Sequence, residues 1–289
     1  MFFKVTKIFF ILAITLGFNT IARAEISAYD PAIIENTTGP FSMLPHKPTY
    51  VLPFNFNDRI QNYTVYQDEN GISPAQRTEI KYQVSFKVPV FSGVGDFPLS
   101  AYIAYTQVSF WQAYNTDFSS PFRETNYEPE VFLSWKPYNE YRFIGTDWVF
   151  KRISTGLVHQ SNGLSEPESR SWNRSYITMM FENNNFFIEG KYWHRLDDSE
   201  DNNPDILDYY GQGTISLAYA NNDHTFTITS RNNIESKLTQ GSVSISWSFP
   251  LGGNFRGYIQ GFSGYGNSLI EYNVYTNTIG VGISVADFL

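Results

Sequence analysis

The chain has 289 residues, no cysteine, 18% aromatic residues and a formal charge of −8. The acidic balance argues against nucleic acid as a partner, and the missing cysteines exclude a disulfide framework. Beyond the N-terminus no apolar run reaches the ~18 residues of a membrane-crossing helix, which rules out helical spans and leaves a transmembrane barrel open.

The chain opens with Lys4 and Lys7, an apolar run from Ile8 to Phe18, and the small-x-small sequence Ala22-Arg23-Ala24. Eleven apolar residues are too short a helix to span a bilayer, so residues 1–24 read as a secretory signal peptide. Its removal leaves 17 basic against 28 acidic residues, a charge of −11. Residues 25–47 carry Pro31, Pro40 and Pro45 without clear periodicity and read as an irregular segment that plugs, lines or tethers. From residue 48 to 289 alternation takes over. Ile80, Tyr82, Val84, Phe86, Val88 and Val90 alternate with Lys81, Gln83, Ser85 and Lys87. That is the code of a strand between lipid and lumen, although a soluble sheet with one wet face writes it too.

Twelve strands follow from this pattern: 48–57, 79–91, 98–112, 123–137, 147–161, 171–183, 185–196, 209–220, 223–232, 239–250, 253–264 and 274–285. Long polar loops near 58–78, 113–122, 162–170, 197–208, 233–238 and 265–273 alternate with short turns such as Asn183-Asn184-Asn185, Asn221-Asn222 and Leu251-Gly252-Gly253. Sorting of loops by length around an even strand count predicts an all-β fold, a twelve-stranded antiparallel transmembrane β-barrel of outer-membrane type, with long loops outside and both termini in the periplasm. A lectin-like β-sandwich, rich in aromatics as well, has no reason to sort its loops that way. The parity of Arg174, Glu182, Tyr176, Thr178 and Met180 predicts a lumen filled by side chains. Lys151 falls on the outward parity beside Phe150, which calls for either a bulge or an interfacial lysine.

Polar groups on the lipid-facing parity are costly and so point to function. His159 and Ser161 share the face of Ile153, Thr155 and Leu157, and Asn173 shares that of Ser175, Ile177, Met179 and Phe181. If the two strands pair about Glu166, His159 lies opposite Asn173. A serine hydroxyl needs an imidazole to take its proton, and the imidazole needs an acceptor to fix its tautomer. Against this stands the bland reading of a rim histidine bound to solvent. His46, His194 and His224 lack such company and read as structural or exposed.

His159-Gln-Ser161-Asn-Gly, then Ser169-Arg-Ser-Trp-Asn173-Arg174, with Ser119-Ser-Pro-Phe-Arg-Glu-Thr-Asn-Tyr127-Glu-Pro129 upstream, closely resembles the bacterial outer-membrane phospholipase A family. The resemblance implies calcium-dependent hydrolysis of phospholipid and lysophospholipid acyl esters, and activation as a homodimer. It implies Ser161 as nucleophile, His159 as general base and Asn173 as the orienting residue. It also implies a Ca2+ ion held by the Leu164 carbonyl, the Ser169 hydroxyl and the Ser119 carbonyl of a second subunit, assisting the Ser161 amide at the oxyanion. Leu164 departs from an expected arginine, Glu166 from an aspartate, and the acidic loop from Asp197 to Pro204 is one residue longer than the family pattern, which puts a second calcium there in doubt. Gln107 lies on the outward parity of Ile103 and Tyr105 and matches a glutamine at the family's dimer interface; the alternative is a rim amide reaching water. The rival to the enzyme is a passive channel or structural barrel.

Overall fold

The structure is a computed structural model, and it describes residues 42–60, 67–68, 71–72, 75–94, 97–118, 120–197, 201–232, 239–252 and 255–286. The signal peptide and most of the segment up to residue 47 lie outside the described residues. No helix among them is long and apolar enough to cross a membrane.

Twelve long strands follow in chain order: β1 (Thr49–Asn57), β2 (Thr78–Val94), β3 (Phe97–Trp111), β4 (Phe122–Trp135), β5 (Val149–Ser161), β6 (Ser171–Asn183), β7 (Phe186–Leu196), β8 (Gly213–Asn221), β9 (His224–Asn232), β10 (Gly241–Gly252), β11 (Phe255–Gly264) and β12 (Thr276–Ala286). Each pairs antiparallel with its sequence neighbours, and β12 pairs with β1, so the sheet closes on itself. Closure leaves no unpaired edge, the condition for placing strands in hydrocarbon. Alternation behaves as the sequence predicts: on β5, Leu157 is 53% exposed on the outer face while Val158 is 3% exposed and faces inward. Val131 and Leu133 of β4 and Ile279, Val281, Ile283 and Val285 of β12 face outward in the same way. At the tip between β8 and β9, Asn222 and Asp223 both adopt positive φ, the conformation of a two-residue hairpin turn.

Two differences from the sequence reading have local causes, and one alternative it left open is resolved. Residues 209–212 do not begin β8; Ile206–Tyr210 form a short helix, α1, and Ile206 and Tyr210 are buried among Trp172, Trp193 and Leu269. Lumen packing overrides the alternation there. The β4–β5 connection is no tight turn: Tyr141 and Arg142 pair with Phe150 and Val149 as a small hairpin. Finally, Lys151 is the extra residue of a bulge, because Met180 pairs with Arg152 and Phe181 with Phe150. Its ammonium lies 2.9 Å from Glu182.

The lumen is filled. At the short-turn end Leu44 and Pro45 extend β1 along Lys87 and Phe86. His46, far from lacking company, lies 2.9 Å from Glu130, and Lys47 pairs with Glu128 and, at 3.0 Å, with Glu130. Higher up, Arg123 makes two hydrogen bonds to Glu79, at 2.9 and 2.8 Å, and reaches Glu271 at 3.0 Å. All three side chains are fully buried. The β11–β12 loop is held down into the mouth by Leu269 N–H donating to Asn126 and Ile270 N–H to Glu124, each at 3.0 Å. Buried charges are costly unless paired, which is why these carboxylates and cations meet one another inside the barrel.

Candidate active site

Pairing of β5 with β6 sets His159 directly opposite Asn173, as the symmetry about Glu166 predicts. His159 Nδ1 lies 2.8 Å from Asn173 Oδ1. An amide oxygen only accepts, so Nδ1 donates, and in the neutral imidazole that leaves the lone pair on Nε2. Ser161 follows two residues later on the same face of β5, at the long-loop end, with Tyr127 and Ser171 as its cross-strand neighbours. The three polar side chains therefore sit on the outer wall, on the face that carries exposed apolar groups such as Leu157 and Ile177.

The inward residues of the same two strands hold this geometry, a role that sequence reading did not assign them. Trp172, fully buried, donates from Nε1 to Gln160 Oε1 at 2.8 Å. Arg174 lies 4.0 Å over the Trp172 ring, donates to Gln160 at 3.3 Å and pairs with Glu128 at 3.0 Å. The backbone between His159 and Ser161, and on both sides of Asn173, is thus pinned from behind. Parity alone gives these residues an inward direction but no partners.

Beyond Ser161 the loop 162–170 is organised around Asn162, which is 4% exposed. Its Oδ1 accepts from Leu164 N–H at 3.3 Å and Arg170 N–H at 2.9 Å, and its Nδ2 donates to the Glu168 carbonyl at 2.8 Å. Gly163 takes φ 69°, and an added Cβ would stand 3.1 Å from the Tyr127 ring, so the chain turns where only glycine fits well. Ser169 Oγ accepts from Asn202 Nδ2 at 2.9 Å, while Asn202 Oδ1 accepts from Ser171 N–H at 3.0 Å. One lone pair of the Ser169 hydroxyl remains. Leu164 and Ser169 thus lie at the two ends of one stapled loop beside Ser161, offering neutral hard oxygens of the kind calcium takes. Ser119 lies outside the described residues. No group of three or more His, Cys, Asp or Glu that could hold a metal occurs among the described residues, so a cation here would depend on carbonyl, hydroxyl and water oxygens. In the acidic loop, Asp201 is committed to Arg195 at 2.5 Å.

Gln107 does face outward, and each end of its amide has one partner within the chain. Tyr105 O–H donates to its Oε1 at 2.9 Å and its Nε2 donates to Ser109 Oγ at 3.0 Å. One Nε2 hydrogen and one Oε1 lone pair remain for a partner chain or water.

The phospholipase A1 family model matches residues 31–285. Phospholipase A1 of Salmonella typhimurium is 35% identical over 88% of this chain and 85% of its own length. Among solved structures, the dimeric outer-membrane phospholipase of Salmonella typhi with bound calcium superposes with a TM-score of 0.78 at 34% identity, covering 87% of this chain and 95% of that one. An active-site asparagine-to-alanine mutant of Escherichia coli outer-membrane phospholipase A gives a TM-score of 0.79 at 32% identity, covering 93% and 100%. A closed twelve-stranded barrel of this architecture, matched over nearly its whole length, belongs to the phospholipase A1 family of bacterial outer-membrane phospholipases.

Proposed function

We propose that this chain hydrolyses the acyl esters of phospholipids and lysophospholipids through Ser161, His159 and Asn173, with calcium as cofactor and a homodimer as the active form. The carrying observation is the 2.8 Å contact between His159 Nδ1 and Asn173 Oδ1 on a lipid-facing wall, two residues from a serine. His159 Nε2 takes the Ser161 proton as Oγ adds to the ester carbonyl carbon. It then returns that proton to the departing alcohol, leaving an acyl-serine. A water activated by the same nitrogen releases the fatty acid and restores Ser161. Asn173 keeps the imidazole in the tautomer that both halves require.

An active-site asparagine in the Escherichia coli relative supports the third role, and the calcium-bound Salmonella typhi dimer supports the cofactor and the assembly. Leu164 and Ser169 would hold the ion, with Ser119 contributed by a second copy. When bound, calcium supplies positive charge close to the ester oxygen on which negative charge develops. A passive channel is disfavoured by the paired charges and aromatic rings that fill the lumen. The test is fatty-acid release by Ser161→Ala in detergent. Loss of hydrolysis with the barrel still folded is expected; retained hydrolysis refutes the assignment.

A further inference from the structure

The β4–β5 connection continues the wall beyond the rim. Tyr141 lies directly opposite Phe150 in register, so the two share the outer face, and Tyr141 is within 6.4 Å of the Trp135 ring. Phe150 in turn lies 6.0 Å from Trp135 and 5.6 Å from Phe181, and Phe97 stacks on Trp135 at 6.4 Å. These rings form an aromatic girdle at the short-turn end, where amphipathic rings meet the bilayer interface. Phe143 leans onto Phe181 at 5.5 Å, so the hairpin tip turns toward the lipid side of the wall. At the tip Ile144 is fully exposed, and Tyr138, Tyr141 and Phe143 are all more than half exposed. The opposite side of the same hairpin is polar: Arg142 pairs with Glu140 at 2.7 Å beside Asp147 and Lys151, in a cleft that also includes Glu182.

We propose that residues 136–148 form a lipid-seated foot, whose Phe143 and Ile144 insert into the bilayer leaflet at the short-turn end while Glu140 and Arg142 stay at headgroup level. The occupant of this surface is phospholipid rather than a protein. Its apolar face is continuous, ring on ring, with a wall that lies in the outer membrane. A loop in bulk water gains nothing from a bare isoleucine at its tip, whereas transfer of such a side chain into acyl chains is favourable.

The chain has no cysteine, so single Ile144→Cys, Phe143→Cys, Ile177→Cys and Glu140→Cys variants each take one nitroxide label. Each is reconstituted in vesicles of phosphatidylethanolamine and phosphatidylglycerol, and its collisions with oxygen and with a water-soluble nickel chelate are compared. The labels at 144 and 143 are expected to favour oxygen much as the mid-wall label at 177 does, severalfold above the label at 140. If the labels at 144 and 143 meet the nickel chelate as freely as the label at 140, the foot is in water and the proposal is overturned. Because Phe143 also packs on Phe181, the label at 144, which replaces no packed side chain, decides if the two disagree.

Discussion

Replacing Asn173 with alanine isolates the contribution of the third residue. The 2.8 Å contact joins two neutral groups before reaction, where such a bond contributes about 0.5–1.5 kcal/mol. Once His159 has accepted the serine proton, the same oxygen faces an imidazolium, and a charge-assisted bond contributes about 1.5–3 kcal/mol. Only the difference, about 1–2 kcal/mol, stabilises the transition state, so kcat should fall roughly 5- to 30-fold with little change in KM. The outer-wall position keeps this modest, unlike a buried carboxylate whose loss costs about 10⁴. Asn173→Asp preserves an acceptor and should retain activity of the wild-type order. Initial rates of fatty-acid release from mixed micelles, with unfolded protein excluded by heat-modifiable gel mobility, give both parameters. An unchanged kcat for Asn173→Ala, or a loss beyond a thousandfold, would refute this account of the asparagine.

Three more outcomes follow from the wall and its contents. Arg123→Ala leaves the fully buried Glu79 and Glu271 carboxylates without their cation. It should destabilise the barrel by roughly 3–5 kcal/mol, read as a lower urea midpoint in detergent. Gly156→Ala would put a Cβ 2.4 Å from the Val131 carbonyl oxygen and 2.5 Å from Phe132 Cβ, so β4 and β5 must part where the strand that carries His159 and Ser161 is paired. A reduced folded yield is expected, and a wild-type yield would contradict the packing. Chelation should abolish hydrolysis and calcium restore it, while magnesium should not, because it demands a stricter octahedron than a loop of carbonyl and hydroxyl oxygens provides. Rates titrated against each free cation settle this.

Much of the barrel is legible in the chain because its physics is local. A side-chain period of two, read against lipid on one face, fixes both strand positions and inward or outward sense, as at Leu157 and Val158. Loop length then sorts the ends. What fails are places where a long-range partner outbids the alternation: α1 packs into the mouth beside Trp172, and the tip at Phe143 seats on Phe181. Gln107 is instructive in the same way, since parity gives its direction but not the hydroxyls of Tyr105 and Ser109 that its amide meets within the chain.

By itself, the sequence determined that His159, Ser161 and Asn173 share the outer face, since parity and turn symmetry require only neighbouring residues. Tertiary structure alone decided how firmly they are held. Gln160, Trp172, Arg174 and Glu128 come from three strands and meet inside the lumen, and Asn202 reaches Ser169 across 33 positions of chain. Contacts between segments far apart in sequence leave no periodic trace, because they depend on closure of the whole wall.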